Sequence, residues 1–518
     1  MVLYGAAAKR RDESKSPRSL TGDRMLGVIG STVTAAGGLL SGVTPLGEIA
    51  IDLPLIRDLR ASATLSVFVV YLGLTMLLLA WWRIGAAART PGGPSRRELV
   101  TTAAWWGAPF AFVPPIFSGD VHSYLAQGAM TMAGLDAYQV GPAALGGPLT
   151  VNVPAIWQHT PAPYGPIFLA LAGAVTELTD GGVWAGIVGM RVLALLGVVL
   201  LVWSVPRLAS FCGVQPAAAL WLGVLNPLVL LHLIGDAHNE AVMLGLMCLG
   251  LLLALQHRPA IGVVLITLAT LVKAPAGLAI VFVIPIWAQQ IDGRRARLRA
   301  AQRTVLVAAI TALAVTALTR TGFGWVRALD APTHAHTWMS VTTDLGWAVG
   351  TLLSHLSGVE VDHTIRAFWL AGMIAAAGVN LVLWRRATRI GPLSALGLCL
   401  AAIVIAGPVV HPWYLLWAVV PLAAVARSVA IRRTVAIGSV ALVLLVLPGG
   451  VQPGPEALLG AALGSVAALI ATAAFTRLTP SARFSTRAEW AESAERLRFR
   501  VRRAGFAGGG RRRQAARR

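Results

Sequence analysis

Charged side chains are scarce in this sequence of 518 residues. They make up 13% of the chain, whereas hydrophobic residues make up 56% and the mean hydropathy is +0.71. A soluble globular domain carries roughly a quarter charged residues, so this composition excludes an ordinary soluble protein. Many apolar runs reach about 17 to 20 residues, which is the length of a helical membrane span. The sequence therefore predicts an all-α polytopic membrane protein.

Cysteine and lysine are also rare. The three cysteines lie in or beside apolar runs without a CxxC spacing, so they indicate neither metal nor redox chemistry: Cys212, Cys248 and Cys399. Lysine occurs at three positions: Lys9, Lys15 and Lys273. The net charge of +21 comes from arginines between the apolar runs, where the positive-inside rule expects them. Membrane lipids, rather than nucleic acid, are the expected surroundings.

Hydropathy predicts about 13–14 transmembrane helices, near 25–46, 64–82, 99–117, 184–205, 217–233, 241–256, 261–272, 276–290, 304–319, 365–384, 391–409, 413–427, 434–449 and 456–476. Arginines between the second and third runs place that loop in the cytoplasm. Loop 118–182 contains no lysine or arginine and is predicted to be the first large outer loop. A second outer loop is predicted at 320–364. Within these loops, 166–178 and 345–357 are too short to span and favour re-entrant or juxtamembrane helices.

The predicted organisation has three parts. A basic cytoplasmic N-terminus, 1–24, precedes a transmembrane domain, 25–476, and a basic cytoplasmic tail, 477–518, follows it. The polar outward-facing stretches are loop 118–182, GDAHNE (235–240), VKAPA (272–276), loop 320–364 and VVHPWYLLW (409–417). All five are predicted on the same side of the membrane. This convergence is the main functional signal in the sequence.

Asp120 lies in PPIFSGDVHSYLAQG (114–128), directly after an apolar run. An ionised carboxylate left in hydrocarbon costs several kcal/mol, so it needs either water or a function. A solvated carboxylate at a helix end is the simpler explanation. However, the same loop carries Tyr138, Trp157 and Tyr164 among prolines and glycines. Such rigid aromatic loops suit carbohydrate, because sugar C–H faces pack on rings.

Cationic side chains at the level of the membrane indicate a binding site for a phosphate group. Arg191 lies about two turns into an apolar span, and Lys273 lies at a helix end, where snorkelling is the alternative. Both types of side chain hold phosphate well, and Arg327, Arg366 and His411 could extend such a cradle.

The next candidate is the turn that contains Asp236, His238, Asn239 and Glu240. We interpret it as polar lining of a binding site. The alternatives are helix capping by Asn239 or Asp236 and a metal site. The spacing of these residues matches no compact zinc motif. Trp338, Trp413 and Tyr414 suit either sugar binding or an interfacial aromatic belt.

Several motifs together resemble a known family. The segments SGDVHSYLAQG, GLDAYQVGP, TPAPYGPIF, ALWLGVLNPLVLLHLIGDAHNEAVMLGL, LVKAPA, GFGWV…TWMS and HPWYLLW are similar to the actinobacterial polyprenol-phosphomannose-dependent α-1,6-mannopyranosyltransferases, the MptA/MptB group, and are nearer MptB. The resemblance covers about residues 25–476 and implies the GT-C glycosyltransferase architecture. It also implies that Asp120 is the catalytic carboxylate. The family pattern often reads DVYSYLAQ, whereas this sequence has His122 at the third position.

The resulting expectation is an inverting mannosyltransferase of the plasma membrane, with its active site on the outer, periplasmic face. The donor is polyprenyl-phosphate mannose, and the acceptor is the 6-hydroxyl of an α-1,6-mannan in the lipomannan and lipoarabinomannan backbone. The expected phosphate-binding residues are Lys273, Arg191, His411 and Arg327. The expected sugar- or acceptor-binding residues are His122, Tyr124, Asp136, Tyr138, Trp157, His159, Tyr164, His238, Asn239, Glu240, Trp338, Trp413 and Tyr414.

No cofactor is expected. Residues 120–122 read Asp-Val-His rather than DxD, and cations can meet the phosphate charge, so a divalent ion near Asp236 or Glu240 is the disfavoured alternative. Two other functions stay open at this point. One is a transporter or flippase of a lipid-linked sugar, whose site would lie near the midplane between inverted repeats that this sequence lacks. The other is a GT-C transferase for another sugar, such as arabinose.

Overall fold

The computed structural model describes residues 20–45, 54–89, 93–327 and 337–478. Within these ranges every regular element is a helix, which confirms the all-α prediction. The first half contains α1 (Thr21–Ser41), α2 (Pro54–Ala61), α3 (Ala63–Ala87), α4 (Arg96–Ala111), α5 (Asp120–Met132), α6 (Gly147–Val151), α7 (Ala155–Gln158), α8 (Pro166–Leu178), α9 (Val183–Phe211) and α10 (Pro216–Gly223).

The second half contains α11 (Glu240–Leu255), α12 (Pro259–Thr270), α13 (Leu278–Ala288), α14 (Ala296–Thr319), α15 (Gly324–Arg327), α16 (Val341–Ser357), α17 (Val361–Ile390), α18 (Pro392–Ala406), α19 (Leu415–Val425), α20 (Val429–Leu444) and α21 (Pro455–Leu478). Short 3₁₀ turns cover Pro142–Ala144, Ala274–Gly277 and Pro412–Tyr414, and a π-helix covers Val229–Gly235. The predicted termini fall almost entirely outside the described residues, so those two predictions stay untested.

Five of the described helices are long and apolar enough to cross a membrane: α3, α9, α14, α17 and α21. The π-helix and α11 form a sixth span if this pair, bent by 111°, is counted as one. The chain is therefore a polytopic membrane protein, as predicted. The bend passes through Ala237, whose φ of 55° lies in the left-handed region. This turn directs His238 and Glu240 back towards α5.

Several of the 13–14 predicted spans are divided or short helices in the structure. The predicted span 217–233 is divided, because α10 ends at Gly223 and the π-helix begins at Val229. Pro227 has no amide proton and disfavours a helical residue before it. At this break, the side chain of Asn226 donates a hydrogen bond to the carbonyl of Leu222 and accepts one from the amide of Leu228, each at 3.0 Å. Other predicted spans, such as α12 with 12 residues and α18 with 15, are short helices.

The predicted outer-loop helix 166–178 is α8, and it packs along α5. A Cβ on Gly128 of α5 would lie 2.5 Å from the carbonyl carbon of Ala172, so only glycine permits this close approach. The hydroxyl of Thr176 also donates to the carbonyl of Leu125 at 3.3 Å. Because α8 fixes α5 in this way, the side chains on the opposite side of α5 have a defined position. The second predicted short helix, at 345–357, lies within α16.

A second connection brings loop 118–182 to the turn after α12. The amides of Gly165 and Ile167 donate to the carbonyls of Val272 and Leu271 at 3.2 and 3.1 Å. A Cβ on Gly165 would lie 2.2 Å from the carbonyl oxygen of Leu271, so this approach also requires glycine. The connection places Tyr164 beside Lys273.

Candidate active site

A cavity of about 360 Å³ lies where the predicted outer segments meet. Its walls come from α5, the loop at 157–164, the turn at 273–275, the end of α18 and the segment 407–417. It brings together six residues that the sequence predicted for the site: Asp120, Trp157, Tyr164, Lys273, His411 and Tyr414. Three of the five stretches predicted to converge therefore line one cavity: loop 118–182, VKAPA (272–276) and VVHPWYLLW (409–417).

The cavity has walls of different character. On α5, Asp120, Ser123 and Gln127 face the cavity, and Trp157, Thr160 and Tyr164 extend this polar and aromatic side. Another part of the lining, here called the apolar wall, consists of Ala274, Pro275, Ile403, Val404, Gly407, Pro408 and Val409. Such a site can hold a polar group against one wall and a hydrocarbon chain against the other.

Asp120 is the first residue of α5, and its side chain is 15% exposed. Its Oδ2 lies 3.7 Å from Nδ1 of His238, and the same nitrogen lies 3.1 Å from the hydroxyl of Tyr124. Burial raises the pKa of Asp120 to about 6, the positive charge of Lys273 opposes this rise, and nearby Glu240 adds to it. A carboxylate with this pKa is mostly ionised at neutral pH and is well suited to accept a proton.

This pKa predicts how activity depends on pH. The active form of a general base is the deprotonated form, and its population increases as the pH rises through about 6. We expect kcat/KM for sugar transfer to rise about tenfold per pH unit below pH 6 and to level off above it. Initial rates at constant donor concentration between about pH 5 and pH 8 measure this. A flat profile across that range would contradict the assignment.

Lys273 is the cationic residue of the cavity wall within the described part of the chain. Its ammonium group pairs with the buried carboxylate of Glu240. It also lies 5.5, 5.0 and 5.8 Å from the ring centres of Tyr164, Tyr414 and Trp417. These distances are within the range of cation–π attraction. The side chain is thus held in place by a carboxylate and three rings while it faces the cavity.

His411 also faces the cavity, but it adds no positive charge at neutral pH. Burial, together with the nearby charges of Lys273 and His232, lowers its pKa to about 3. Its ring is parallel to that of Trp413 at 4.5 Å, and Trp413 stacks on His238 at 3.9 Å. A neutral His411 can hydrogen-bond a phosphate or a sugar, whereas the sequence-based interpretation counted it among the cations.

Arg191 does not face the cavity. It is 3% exposed, and its guanidinium donates to four backbone carbonyls: Ala111 at 2.9 Å, Val113 at 2.8 Å, Ile234 at 3.1 Å and Gly235 at 2.6 Å. Four of its five N–H groups are thereby used. These contacts give Arg191 a structural role, joining the end of α4 to the end of the π-helix, in place of the expected phosphate contact.

Arg191→Lys should therefore destabilise the fold. An ammonium group cannot reach all four carbonyls, and each buried carbonyl left unpaired costs about 1–3 kcal/mol. We expect the free energy of unfolding to fall by about 2–4 kcal/mol, which thermal unfolding in detergent would detect. Arg207→Lys is the matched control, because Arg207 lies on the same helix and makes one bond, to the carbonyl of Trp203. Equal melting temperatures for the two variants would contradict the structural role.

His232, Asp236 and His238 form a buried group whose ligand atoms all lie within 4.8 Å of one another. Their chemistry suits a metal ion. However, Asp236 accepts bonds from the amides of Ile116 and Phe117 at 2.8 and 3.1 Å through Oδ1, and its Oδ2 lies 2.9 Å from Nδ1 of His232. Both oxygens of Asp236 thus already serve protein contacts that hold the segment before α5. The expectation of no metal requirement stays a prediction.

The predicted residues Tyr124, His238, Glu240 and Trp413 lie behind the cavity wall and support residues that face it. Tyr124 and His238 stand behind Asp120, Glu240 pairs with Lys273, and Trp413 lies between two histidine rings. Glu240 in particular contacts a lysine rather than the cavity. Its role in the structure is therefore electrostatic positioning, not the direct sugar contact expected from the sequence.

The other predicted residues lie away from the cavity lining. Asp136 accepts from the amide of Tyr138 at 2.9 Å and from Gln139 at 2.7 Å, so it stabilises its own turn. Tyr138 belongs to a separate small apolar cluster. Both were expected to bind sugar, and neither reaches the cavity because their loop turns away after α5. Five further predicted residues are also outside the cavity lining: His122 and Asn239, which are buried elsewhere, and His159, Arg327 and Trp338, which are exposed.

Several cavity residues were missed by sequence reasoning. Ser123 and Gln127 follow Asp120 by three and seven positions, which places all three on one face of a helix. This spacing was a usable signal. Trp417 stacks on Tyr414 at 4.3 Å and completes the rings around Lys273. Thr160 lies among loop residues without a periodic pattern, so no signal pointed to it.

Comparison with known proteins agrees with this geometry. The family model described as alpha-(1->6)-mannopyranosyltransferase, N-terminal domain, matches residues 24–289, and the MptB C-terminal domain matches residues 342–477. The chain belongs to the MptA/MptB family. This confirms the resemblance inferred from the sequence motifs. The N-terminal match contains Asp120, Lys273 and the loop at 157–164, whereas the C-terminal match contains His411 and the part of the apolar wall from Ile403 to Val409.

Curated relatives support the family membership over most of the chain. Alpha-(1->6)-mannopyranosyltransferase A of Mycobacterium tuberculosis is 35% identical over 80% of this chain and 82% of its own length. A second alpha-(1->6)-mannopyranosyltransferase of that organism is 33% identical over 81% and 82%. Alpha-(1->6)-mannopyranosyltransferase B of Corynebacterium glutamicum is 34% identical over 82% and 77%. No solved structure matches the chain, so the GT-C architecture stays a prediction.

Proposed function

We propose that this protein is an inverting mannosyltransferase that transfers mannose from polyprenyl-phosphate mannose to the 6-hydroxyl of an α-1,6-mannan acceptor. The acceptor is the growing backbone of lipomannan and lipoarabinomannan. The observation that carries the proposal is a single cavity that is lined by the carboxylate of Asp120 and by Lys273. The same cavity has a polar and an apolar part to its lining. The relatives named as alpha-(1->6)-mannopyranosyltransferases support mannosyl transfer and the linkage.

The reaction needs one base. The oxygen of the acceptor's 6-hydroxyl attacks the anomeric carbon of the donor, and its proton passes to Asp120. The bond between the anomeric carbon and the phosphate oxygen breaks as the new glycosidic bond forms, and its electrons leave with the polyprenyl phosphate. A mechanism with a single displacement inverts the anomeric centre and requires no covalent intermediate. The nearby carboxylate of Glu240 is buried and paired with Lys273, which leaves Asp120 for this role.

The leaving phosphate gains negative charge during the reaction. Lys273 is the cation placed to meet that charge. Glu240 and aromatic rings such as that of Tyr414 hold its side chain in place before substrate binds. Such preorganised charge is effective because it needs no rearrangement as the bond breaks. With Lys273 in this role and His411 available as a neutral donor, the proposed reaction uses no cofactor.

The apolar wall fits the lipid part of the donor. Ile403 and Val404 line the cavity near the end of α18, and Ile405 on the same helix is exposed on the outside of the protein. A polyprenyl chain can therefore leave the cavity along α18 and enter the surrounding lipid. The absence of lysine and arginine from loop 118–182 supports a site on the outer face of the plasma membrane, with both termini in the cytoplasm.

The proposal is tested with purified protein in detergent, synthetic polyprenyl-phosphate mannose and α-1,6-mannobiose. We expect a trisaccharide whose new linkage is cleaved by an α-1,6-specific mannosidase. Polyprenyl-phosphate arabinose is the matched donor control and should give no product. Transfer of arabinose alone would replace the proposal with another sugar specificity. Movement of the donor across liposome membranes without transfer would favour a flippase.

A further inference from the structure

Two buried residues on α5 line the cavity, and each carries a polar atom without a partner. Ser123 is 3% exposed and Gln127 is 2% exposed, and both lie on the cavity wall. Oγ of Ser123 and Oε1 of Gln127 have no hydrogen-bond partner among the described residues. A buried polar atom without a partner costs about 1–3 kcal/mol. Such atoms next to an open cavity indicate a polar ligand that supplies the missing bonds.

The unpaired atoms specify the chemistry of that ligand. Oε1 of Gln127 can only accept a hydrogen bond, and Oγ of Ser123 can donate or accept. A sugar hydroxyl satisfies either atom, whether it belongs to the mannose of the donor or to the acceptor, whereas phosphate and hydrocarbon offer Oε1 of Gln127 nothing to accept from. The donor's apolar wall and Lys273 also lie on other elements of the cavity. This division of the lining favours the acceptor as the partner of the polar row on α5, which consists of Ser123 and Gln127.

The spacing along α5 matches a row of linked sugars. At 1.5 Å per residue, Ser123 lies about 4–5 Å from Asp120 along the helix axis, and Gln127 lies about 10 Å from it. With the reacting hydroxyl at Asp120, the terminal sugar lies beside Ser123 and the next sugar reaches Gln127. Since Gly128 packs tightly on Ala172, α5 is rigid and can hold these distances.

We propose that Ser123 and Gln127 bind hydroxyls of the last two sugars of the acceptor, so that Gln127 selects acceptors of two or more linked hexoses. This inference rests on the proposed function, because it takes Asp120 as the residue at the reacting hydroxyl. Ser123 and Gln127 are specificity-determining residues in this account. They take no part in proton transfer.

Gln127→Leu and Ser123→Ala test the proposal, with methyl α-mannoside and α-1,6-mannobiose as acceptors. Loss of one neutral hydrogen bond to a ligand weakens binding about five- to tenfold. We expect Gln127→Leu to raise the KM for mannobiose by that factor and to leave the KM for methyl α-mannoside and for the donor unchanged. Ser123→Ala should raise the KM for both acceptors. Thr131→Ala is the matched control, because its hydroxyl bonds to the carbonyl of Gly128 on the same helix outside the cavity lining.

Stability separates ligand binding from a structural role. Because Oε1 of Gln127 has no protein partner, Gln127→Leu should not lower the melting temperature. A lower melting temperature together with an unchanged mannobiose KM overturns the proposal, and so does a rise in donor KM alone. Gln127→Met is a second apolar variant that gives the same comparison if leucine does not fit.

Equilibrium binding of mannobiose without donor separates this inference from the proposed function. Tryptophan fluorescence reports it, since Trp157 lines the cavity. If wild type transfers no mannose, the proposed function fails, and binding that is weakened by Gln127→Leu still supports the acceptor row. If wild type transfers mannose and Gln127→Leu binds mannobiose normally, the acceptor row alone is overturned.

Discussion

Asp120→Asn is expected to reduce the turnover of mannosyl transfer by about 10²–10⁴-fold, because it removes the group that accepts the proton of the attacking hydroxyl. The amide has almost the same size and can keep the contact near His238, which lies 3.7 Å from Oδ2. Burial raises the pKa of Asp120, which shows that the site disfavours the charged form, so the neutral amide should not lower stability. Turnover at saturating donor and acceptor, measured beside the melting temperature, tests this expectation.

Asp180→Asn is the control for this substitution. Asp180 also lies in loop 118–182, is exposed, and has a φ of 49°, a conformation that asparagine also adopts readily. This variant should retain normal turnover. The base assignment is wrong if Asp120→Asn keeps more than about a tenth of wild-type turnover, since general-base help is worth at least about a hundredfold.

Lys273→Gln is expected to have the second-largest effect, and it should act on both catalysis and stability. The substitution removes the positive charge that meets the leaving phosphate, and the loss of one such preorganised donor costs about 10²–10³-fold in kcat. It also leaves Glu240 buried without its partner. Breaking a buried ion pair from one side destabilises a protein by about 3–5 kcal/mol. Turnover and the melting temperature should therefore both fall.

A double variant separates the two effects. Lys273→Gln with Glu240→Gln replaces the ion pair by two neutral amides, so no uncompensated charge is buried and most of the lost stability should return. Turnover should stay low, because no cation faces the phosphate. If the double variant recovers turnover as well as stability, Lys273 serves the fold rather than the donor. If Lys273→Gln alone is fully active, the phosphate role is wrong.

The sequence was sufficient to predict the class of fold and the centre of the site. Scarce charge and long apolar runs predicted a helical membrane protein, and the five long apolar helices confirm it. Loop position predicted that Asp120, Trp157, Tyr164, Lys273, His411 and Tyr414 would meet, and they line one cavity. These predictions succeeded because ionisable residues in an apolar sequence are conspicuous and loop charge orders the spans.

Other features depend on contacts that no pattern in the chain reveals. Arg191 looks like a phosphate ligand in sequence, yet its partners are carbonyls at two helix ends distant along the chain. Glu240 lies 33 positions from Lys273, and only the fold shows that they pair. Hydropathy also does not register helix breaks, such as the one at Pro227 that divides the predicted span 217–233. Ser123 and Gln127, by contrast, lie at helical spacing from Asp120, so they could have been predicted from the sequence although they were missed.

The central claim is that one cavity holds the acceptor hydroxyl at Asp120 and the donor phosphate at Lys273. The most direct measurement is a cryo-EM structure of the protein with α-1,6-mannobiose and a phosphonate analogue of polyprenyl-phosphate mannose that cannot react. The account predicts the acceptor's 6-hydroxyl within about 2.6–3.2 Å of the Asp120 carboxylate and the phosphonate in contact with the Lys273 ammonium group. A phosphonate bound away from Lys273, or an acceptor hydroxyl out of reach of Asp120, would contradict it.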